Sequence, residues 1–241
     1  MLRSDRVTMF AAAAALLAES ASAAEPVDLE LVLAVDVSLS MSPTELDIQR
    51  DGYAAALTHD RVLQAIAEGA HGKIAVTYFE WAGTTSHRVV VPWTIIANRA
   101  DAERVAAKLS AQPANSARRT SIAAALGFGA DLFAESQYRG TKRVIDISGD
   151  GPNNQGDLDR YYTDCVIGGP GAFMIPVNDW SQFPEAIRRK LVLELAGPGS
   201  PARRAEEAEH PPVVKAQAAA TTDCFVGEKM WRDRSWMWDQ Q

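Results

Sequence analysis

The chain has 241 residues, 47% of them hydrophobic and 23% charged. That suits one α/β domain with tails, or at most two small domains, with apolar material enough for a sizeable core. The net charge of −7 excludes the basic footprint of a nucleic-acid binder and is compatible with cation binding.

Residues 1–24 read as a leader. Arg3 and Arg6 precede an alanine-rich apolar stretch from Val7 to Ala18, and Ala21-Ser22-Ala23-Ala24 offers a small-residue cleavage site before Glu25-Pro26. This is the layout of a secretory signal peptide. The stretch is too short to span a bilayer. The expected location is therefore outside the cytoplasm, periplasmic or extracellular. Arg3 and Arg6 balance Asp5 and Glu19, so removing the leader leaves the charge at −7. Cys165 and Cys224 are the two cysteines. In an oxidising compartment they can pair, but sequence alone leaves a bridge and two free thiols both open.

Leu29 to Val37 reads as a buried strand, nearly continuous Leu and Val. Ser42-Pro43-Thr44-Glu45 is a helix start: Ser42 as N-cap, Pro43 at the first helical position, Glu45 three residues after the cap. Helical spacing runs on to Ile66, with a break near Thr58-His59-Asp60. Lys73 to Trp81 and Ser86 to Ile96 predict two strands joined as an antiparallel hairpin, the second at a sheet edge because it contains Pro92. Helices follow from about Ala100 to Leu109 and from Thr120 to Phe133. Gly127 and Gly129 lie in the latter and suit close helix–sheet packing better than phosphate binding. Val144 to Ser148 and Ala172 to Val177 predict two more strands, and Ser181 to Leu195 a last amphipathic helix. Ser200 to Thr222 lacks any period and reads as a linker or disordered stretch before a Trp-rich tail, 223–241. Strands alternating with helices imply a doubly wound, mostly parallel α/β sheet flanked by helices, over 25–199.

In such sheets ligands sit beyond the carboxyl ends of the strands. The first strand ends in Asp36-Val37-Ser38-Leu39-Ser40. In extended backbone, residues two apart point the same way, so Asp36, Ser38 and Ser40 would present three oxygens on one side. Clustered oxygens suit a hard divalent cation. Thr120 supplies a hydroxyl near a helix start, and the fourth strand runs into Asp150-Gly151. The four histidines are scattered without an i, i+4 pair, and neither a nucleophile elbow nor a phosphate-binding loop is present.

Asp36-x-Ser38-x-Ser40, then Thr120, then Asp150-Gly151 resembles the metal-ion-dependent adhesion site of von Willebrand factor A-type domains. Ser148-Gly-Asp-Gly-Pro-Asn-Asn-Gln155 and Cys165-Val-Ile-Gly-Gly-Pro-Gly171 are similar to segments of a group of secreted bacterial proteins built on that domain. The resemblance implies a Rossmann-like fold. Ser38, Ser40 and Thr120 would ligate Mg²⁺ or Mn²⁺ through hydroxyls, and Asp36 and Asp150 would bind directly or through water. It implies a binding module, not an enzyme, that engages a protein partner whose carboxylate completes the coordination. It also implies a helix and a further parallel strand after Asp150, and one such unit is missing here. Either the 172–177 strand moves in beside the fourth strand, or an open edge remains. Two rival readings stand beside this one. A Mg²⁺-dependent phosphohydrolase of the haloacid dehalogenase type would want a carboxylate where Ser38 stands. A degenerate, purely structural domain would have no ligand. The tail tryptophans can reach a membrane surface or fold back onto the domain, and folding back is the preferred reading.

Overall fold

The computed structural model describes residues 24–112, 115–149, 161–210, 212–215 and 224. The expected leader lies outside them apart from Ala24, as do Asp150 and the Trp-rich tail apart from Cys224. Strand β1 (Glu25–Asp36) is followed by helices α1 (Pro43–Thr58) and α2 (Asp60–Ala67), then strands β2 (Ile74–Trp81) and β3 (His87–Ile96). Helices α3 (Arg99–Ser110) and α4 (Ile122–Ala134) lead to β4 (Tyr138–Ser148). After a π-helical turn at Tyr162–Val166 come β5 (Phe173–Met174), a 3-10 turn at Trp180–Gln182, α5 (Phe183–Leu195), α6 (Pro201–Glu209) and β6 (Val214–Lys215).

The main sheet has the order β3-β2-β1-β4. β1 is central and runs parallel to both β2 and β4, while β3 is antiparallel to β2. This is the α/β architecture that the resemblance implied. β1 is apolar on both faces because both are covered. Leu29, Leu31, Leu33 and Val35 pack beneath α1, α2, α3 and α5, and Val32 and Ala34 pack toward α4. Each such fully buried Leu or Val stabilises the fold by roughly 1.5–3 kcal/mol.

Local signals set the boundaries. Ser42 and Glu45 form a reciprocal capping box at the start of α1. His59 ends α1 and caps α2, its Nδ1 accepting from the Arg61 amide at 3.1 Å. Pro92 lies on the edge strand, where no ladder needs its missing N–H, and the β2–β3 register is irregular between Val76 and Phe79. Ser121 caps α4, so that helix starts at Ile122 and leaves Thr120 outside it. A Cβ on Gly129 would lie 3.2 Å from Ile145 and 3.5 Å from Val32, so this glycine does let α4 approach the sheet. Gly127 meets nothing within 4 Å and has no such role.

Two expectations need correction and two open questions are answered. The strand expected over 172–177 is only Phe173–Met174, and it pairs antiparallel with β6 rather than joining the main sheet. Of the two outcomes considered, the 172–177 strand does not move in beside β4, and among the described residues no strand pairs with the outer edge of β4. The stretch expected to be a linker contains α6. Ser200 caps it, and ion pairs hold it: Arg188 contacts Glu206 at 2.8 Å through both terminal nitrogens, and Arg61 reaches Glu209 at 2.6 Å. Cys165 and Cys224 are joined by a disulfide. Among the described residues no helix is long and apolar enough to cross a membrane.

Candidate metal centre

β1 delivers Asp36 to the carboxyl edge of the sheet, between Trp81 at the end of β2 and Ser148 at the end of β4. Asp36 is fully buried. Its Oδ1 accepts the amide of Ser38 at 2.8 Å, an aspartate turn that curls the chain as it leaves the strand. The Met41 amide then donates to the Ser38 carbonyl at 3.0 Å. The hydroxyls of Ser38 and Ser40 meet at 2.8 Å. These three residues do converge, but through a tight turn and not through the extended alternation expected from the sequence.

The turn is held from two sides. Beneath it Val37, Met41 and Leu46 form a small apolar cluster with Trp180. Beside it, the Ala117 amide donates to the Val37 carbonyl at 2.9 Å and the Leu39 amide to the Ala117 carbonyl at 3.0 Å. This short parallel bridge joins Ser38 to the loop that carries Thr120 three residues later. The Ser121 amide donates to the Ala82 carbonyl at 2.8 Å, which ties that loop to the end of β2. Arg119, directly before Thr120, has φ +75°, a left-handed conformation that costs a non-glycine residue energy and here orients the approach to α4. The fold thus gathers Asp36, Ser38 and Ser40 and places half-buried Thr120 on the loop clamped to them. The fifth expected ligand, Asp150, lies outside the described residues.

Two residues that sequence reasoning missed support the site. Gln49 is buried. Its Nε2 donates to the Asp36 carbonyl at 3.0 Å and contacts the Met41 sulfur at 3.0 Å, while its Oε1 accepts the Ser148 hydroxyl at 2.9 Å. It therefore joins α1, β1 and β4 under the site. The signal was available: Gln49 falls in the stripe Leu46, Tyr53, Leu57 on the buried face of α1, and a polar residue in such a stripe needs partners. Gly149 is the second. A Cβ there would stand 2.8 Å from Asp36 Oδ2 and 3.0 Å from its Cβ. Only glycine leaves the carboxylate where it is. Gly149→Ala is expected to displace Asp36 and to weaken Mn²⁺ affinity at least tenfold in a calorimetric titration, while the far-ultraviolet dichroism stays native.

The donor set fits a hard cation. It is a carboxylate and hydroxyls, all oxygen. Adjacent oxygens around an octahedral Mg²⁺ at ~2.0–2.1 Å stand about 2.9 Å apart, close to the observed Ser38–Ser40 separation of 2.8 Å. Among the described residues one other group of potential ligands, Glu185, Glu206 and His210, lies between α5 and α6. Arg188 bridges both of its carboxylates, so their charge is already answered. Burial alone holds the His87 imidazole below its ordinary pKa.

The family described as "Protein of unknown function (DUF1194)" matches residues 26–159 and 155–199. The two pieces meet just beyond Asp150, where a helix–strand unit is expected to be missing. No curated protein matches. Among solved structures, the vWF domain of the type V pili tip protein Mfa5 from Porphyromonas gingivalis is similar at 14% identity and a TM-score of 0.38, over 52% of this chain and 38% of that one. An aerotolerance-related membrane protein from Bacteroides fragilis is similar at 17% identity and a TM-score of 0.34, over 75% of this chain and 96% of that one. The chain thus spans well under half of the Mfa5 structure it matches.

Proposed function

The chain belongs to the DUF1194 family, and we propose that it is an exported binding module that captures a protein partner by a carboxylate through a divalent cation. Asp36, Ser38, Ser40, Thr120 and Asp150 would hold Mg²⁺ or Mn²⁺. The observation that carries this reading is the buried Asp36 carboxylate with the Ser38 and Ser40 hydroxyls gathered at 2.8 Å beyond the central strand.

When bound, the cation supplies a positive charge that neutral hydroxyl ligands leave largely uncompensated. The chain's residues then decide what can approach. Asp36 is sunk in the sheet edge, so it neutralises from below and leaves the outer side open. Ser40 and Leu39 lie on the exposed rim, and Leu39 is 58% exposed. Arg118 and Arg119 are exposed on the neighbouring loop. An exposed apolar side chain beside a loop that carries two arginines favours an acidic partner segment with a large apolar neighbour. Such a site docks and does not turn over. The disulfide supports the exported location, because such bonds persist in oxidising compartments.

A melting titration with MgCl₂ and MnCl₂ tests the reading. At a hundredfold excess over Kd, binding to the folded state adds about 2.7 kcal/mol. For a chain of this size that raises Tm by roughly 5–10 °C. Asp36→Ala should abolish the rise, and chelator should reverse it. A rise that persists in Asp36→Ala, or no rise in the parent protein, refutes the assignment.

A further inference from the structure

The ladder between β1 and β4 runs from Glu25/Tyr138 to Val35/Ser148. Asp36 and Gly149 follow one residue beyond its last rung. Their approach is nevertheless close, because a Cβ on Gly149 would stand 2.8 Å from Asp36 Oδ2. Two strand ends that lie so near, past the end of their ladder, need another tie.

Gln49 supplies one from α1. Its Nε2 donates to the Asp36 carbonyl at 3.0 Å, and its Oε1 accepts the Ser148 hydroxyl at 2.9 Å. The amide therefore joins residue 36 of one strand to residue 148 of its neighbour, as a further ladder bond would. Its polarity is fixed. A carbonyl only accepts, so Nε2 faces Asp36 and Oε1 is left for the Ser148 proton. Asp36, Gln49 and Ser148 are all buried, so neither bond competes with bulk water. The tie also lies on the far side of the strand from the carboxylate. Val35 packs with α1, whereas Val32 and Ala34 pack toward α4. Alternation along β1 then puts the Asp36 carboxylate on the α4 side. Gln49 grips the backbone of Asp36 from the opposite face.

We propose that Gln49 is a positioning residue of the metal centre: its amide is an added rung between β1 and β4 that keeps Gly149 against the Asp36 carboxylate and so sets cation affinity. The proposal rests on the metal reading given above. Gln49 acts through Asp36 and does not touch the cation. Groups that orient a metal ligand in this way typically change affinity by about 10–100-fold when removed.

Calorimetric Mn²⁺ titrations of Gln49→Met, Ser148→Ala and the double variant test it. Methionine keeps the length and the apolar contacts and removes both bonds. Gln49→Met should bind Mn²⁺ about tenfold or more weakly than the parent, and Ser148→Ala should be weakened too. The double variant should be no weaker than Gln49→Met, because both changes remove one rung. Leu57→Ala is the control. Leu57 is fully buried on the same helix, so this variant loses stability but should keep the parent's affinity. Gln49→Met binding as tightly as the parent overturns the proposal, as do losses that multiply in the double variant or an equal loss in Leu57→Ala. Should Gln49→Met not fold, Ser148→Ala decides, and parental affinity there overturns it. A parent that binds no Mn²⁺ refutes the metal reading itself. The rung is then judged in chelator, by exchange of the Ser38 amide that donates to Asp36 Oδ1. Faster exchange in Gln49→Met than in Leu57→Ala upholds the rung, and equal rates overturn it.

Discussion

Glu80→Gln is expected to melt on the order of 10 °C below the parent protein. Glu80 is buried on β2, one residue before Trp81. Its carboxylate accepts from Arg50 at 2.9 Å, from Arg88 at 2.8 Å and from Asn115 at 3.5 Å. Arg50 is also buried, and its other terminal nitrogen donates to the Gln112 carbonyl at 2.8 Å. Removing the counter-charge takes the Glu80 carboxylate away from a buried guanidinium. Breaking one side of a buried pair costs about 3–5 kcal/mol, and for a domain of this size each kcal/mol moves Tm by roughly 2–4 °C. Arg88 sets the contrast. Its side chain is 40% exposed, so Arg88→Ala should cost no more than about 1 kcal/mol. The network also grips the chain at Gln112 and Asn115, just before the loop that reaches Ala117 and Thr120. Glu80→Gln should therefore shrink the Mg²⁺-induced rise in Tm as well as lower the baseline. A differential scan that finds both variants within about 3 °C of the parent would show that the buried pair does not hold the loop.

Where the sequence was legible, a local signal and a tertiary demand agreed. Leu31–Val35 ending at Asp36 marked both the central strand and the site. Ser42-Pro43-Thr44-Glu45 marked the start of α1, and Pro92 marked the edge strand. Where it was not legible, distant partners overrode local pattern. β4 was expected from Val144 but begins at Tyr138. Its polar start is held in the sheet because buried Glu30 of β1 accepts the Gly140 amide at 2.8 Å and pairs with Arg143 at 2.9 Å. Helix α6 has no apolar stripe to read. Its docking rests on Arg61 and Arg188, which no window around residue 205 contains. Yet Ser200-Pro201 repeats the start signal of Ser42-Pro43 and would have located it. The convergence of Ser38 and Ser40 was foreseen, but its cause was not: a turn closed on Asp36 Oδ1 does what extended alternation was expected to do.

Loss of the disulfide should be the other large effect. Cys165 and Cys224 are separated by 59 positions in the chain, and closing a loop of that size removes about 4 kcal/mol worth of unfolded-chain entropy. The bridge also secures elements with little else to hold them. β5 and β6 are two residues each, and a ribbon that short does not persist alone. Cys165→Ala with Cys224→Ala, or reduction of the parent, should lower Tm by roughly 8–16 °C. The loss should be local in origin. Exchange should quicken first at 162–177 and 212–215, while β1 and β2, buried between helices, keep their protection until global melting. A reduced protein that melts within about 2 °C of the oxidised one would remove the bridge from the account of stability. It would also weaken the case for export, because a chain indifferent to its disulfide gains nothing from an oxidising compartment. The metal titration separates the two questions. Asp36, Ser38 and Ser40 are tied to β1, Ala117 and Gln49, which lie far from Cys165 and Cys224 in the chain. The reduced protein should therefore still show a Mg²⁺-dependent rise in Tm, from a lower starting point.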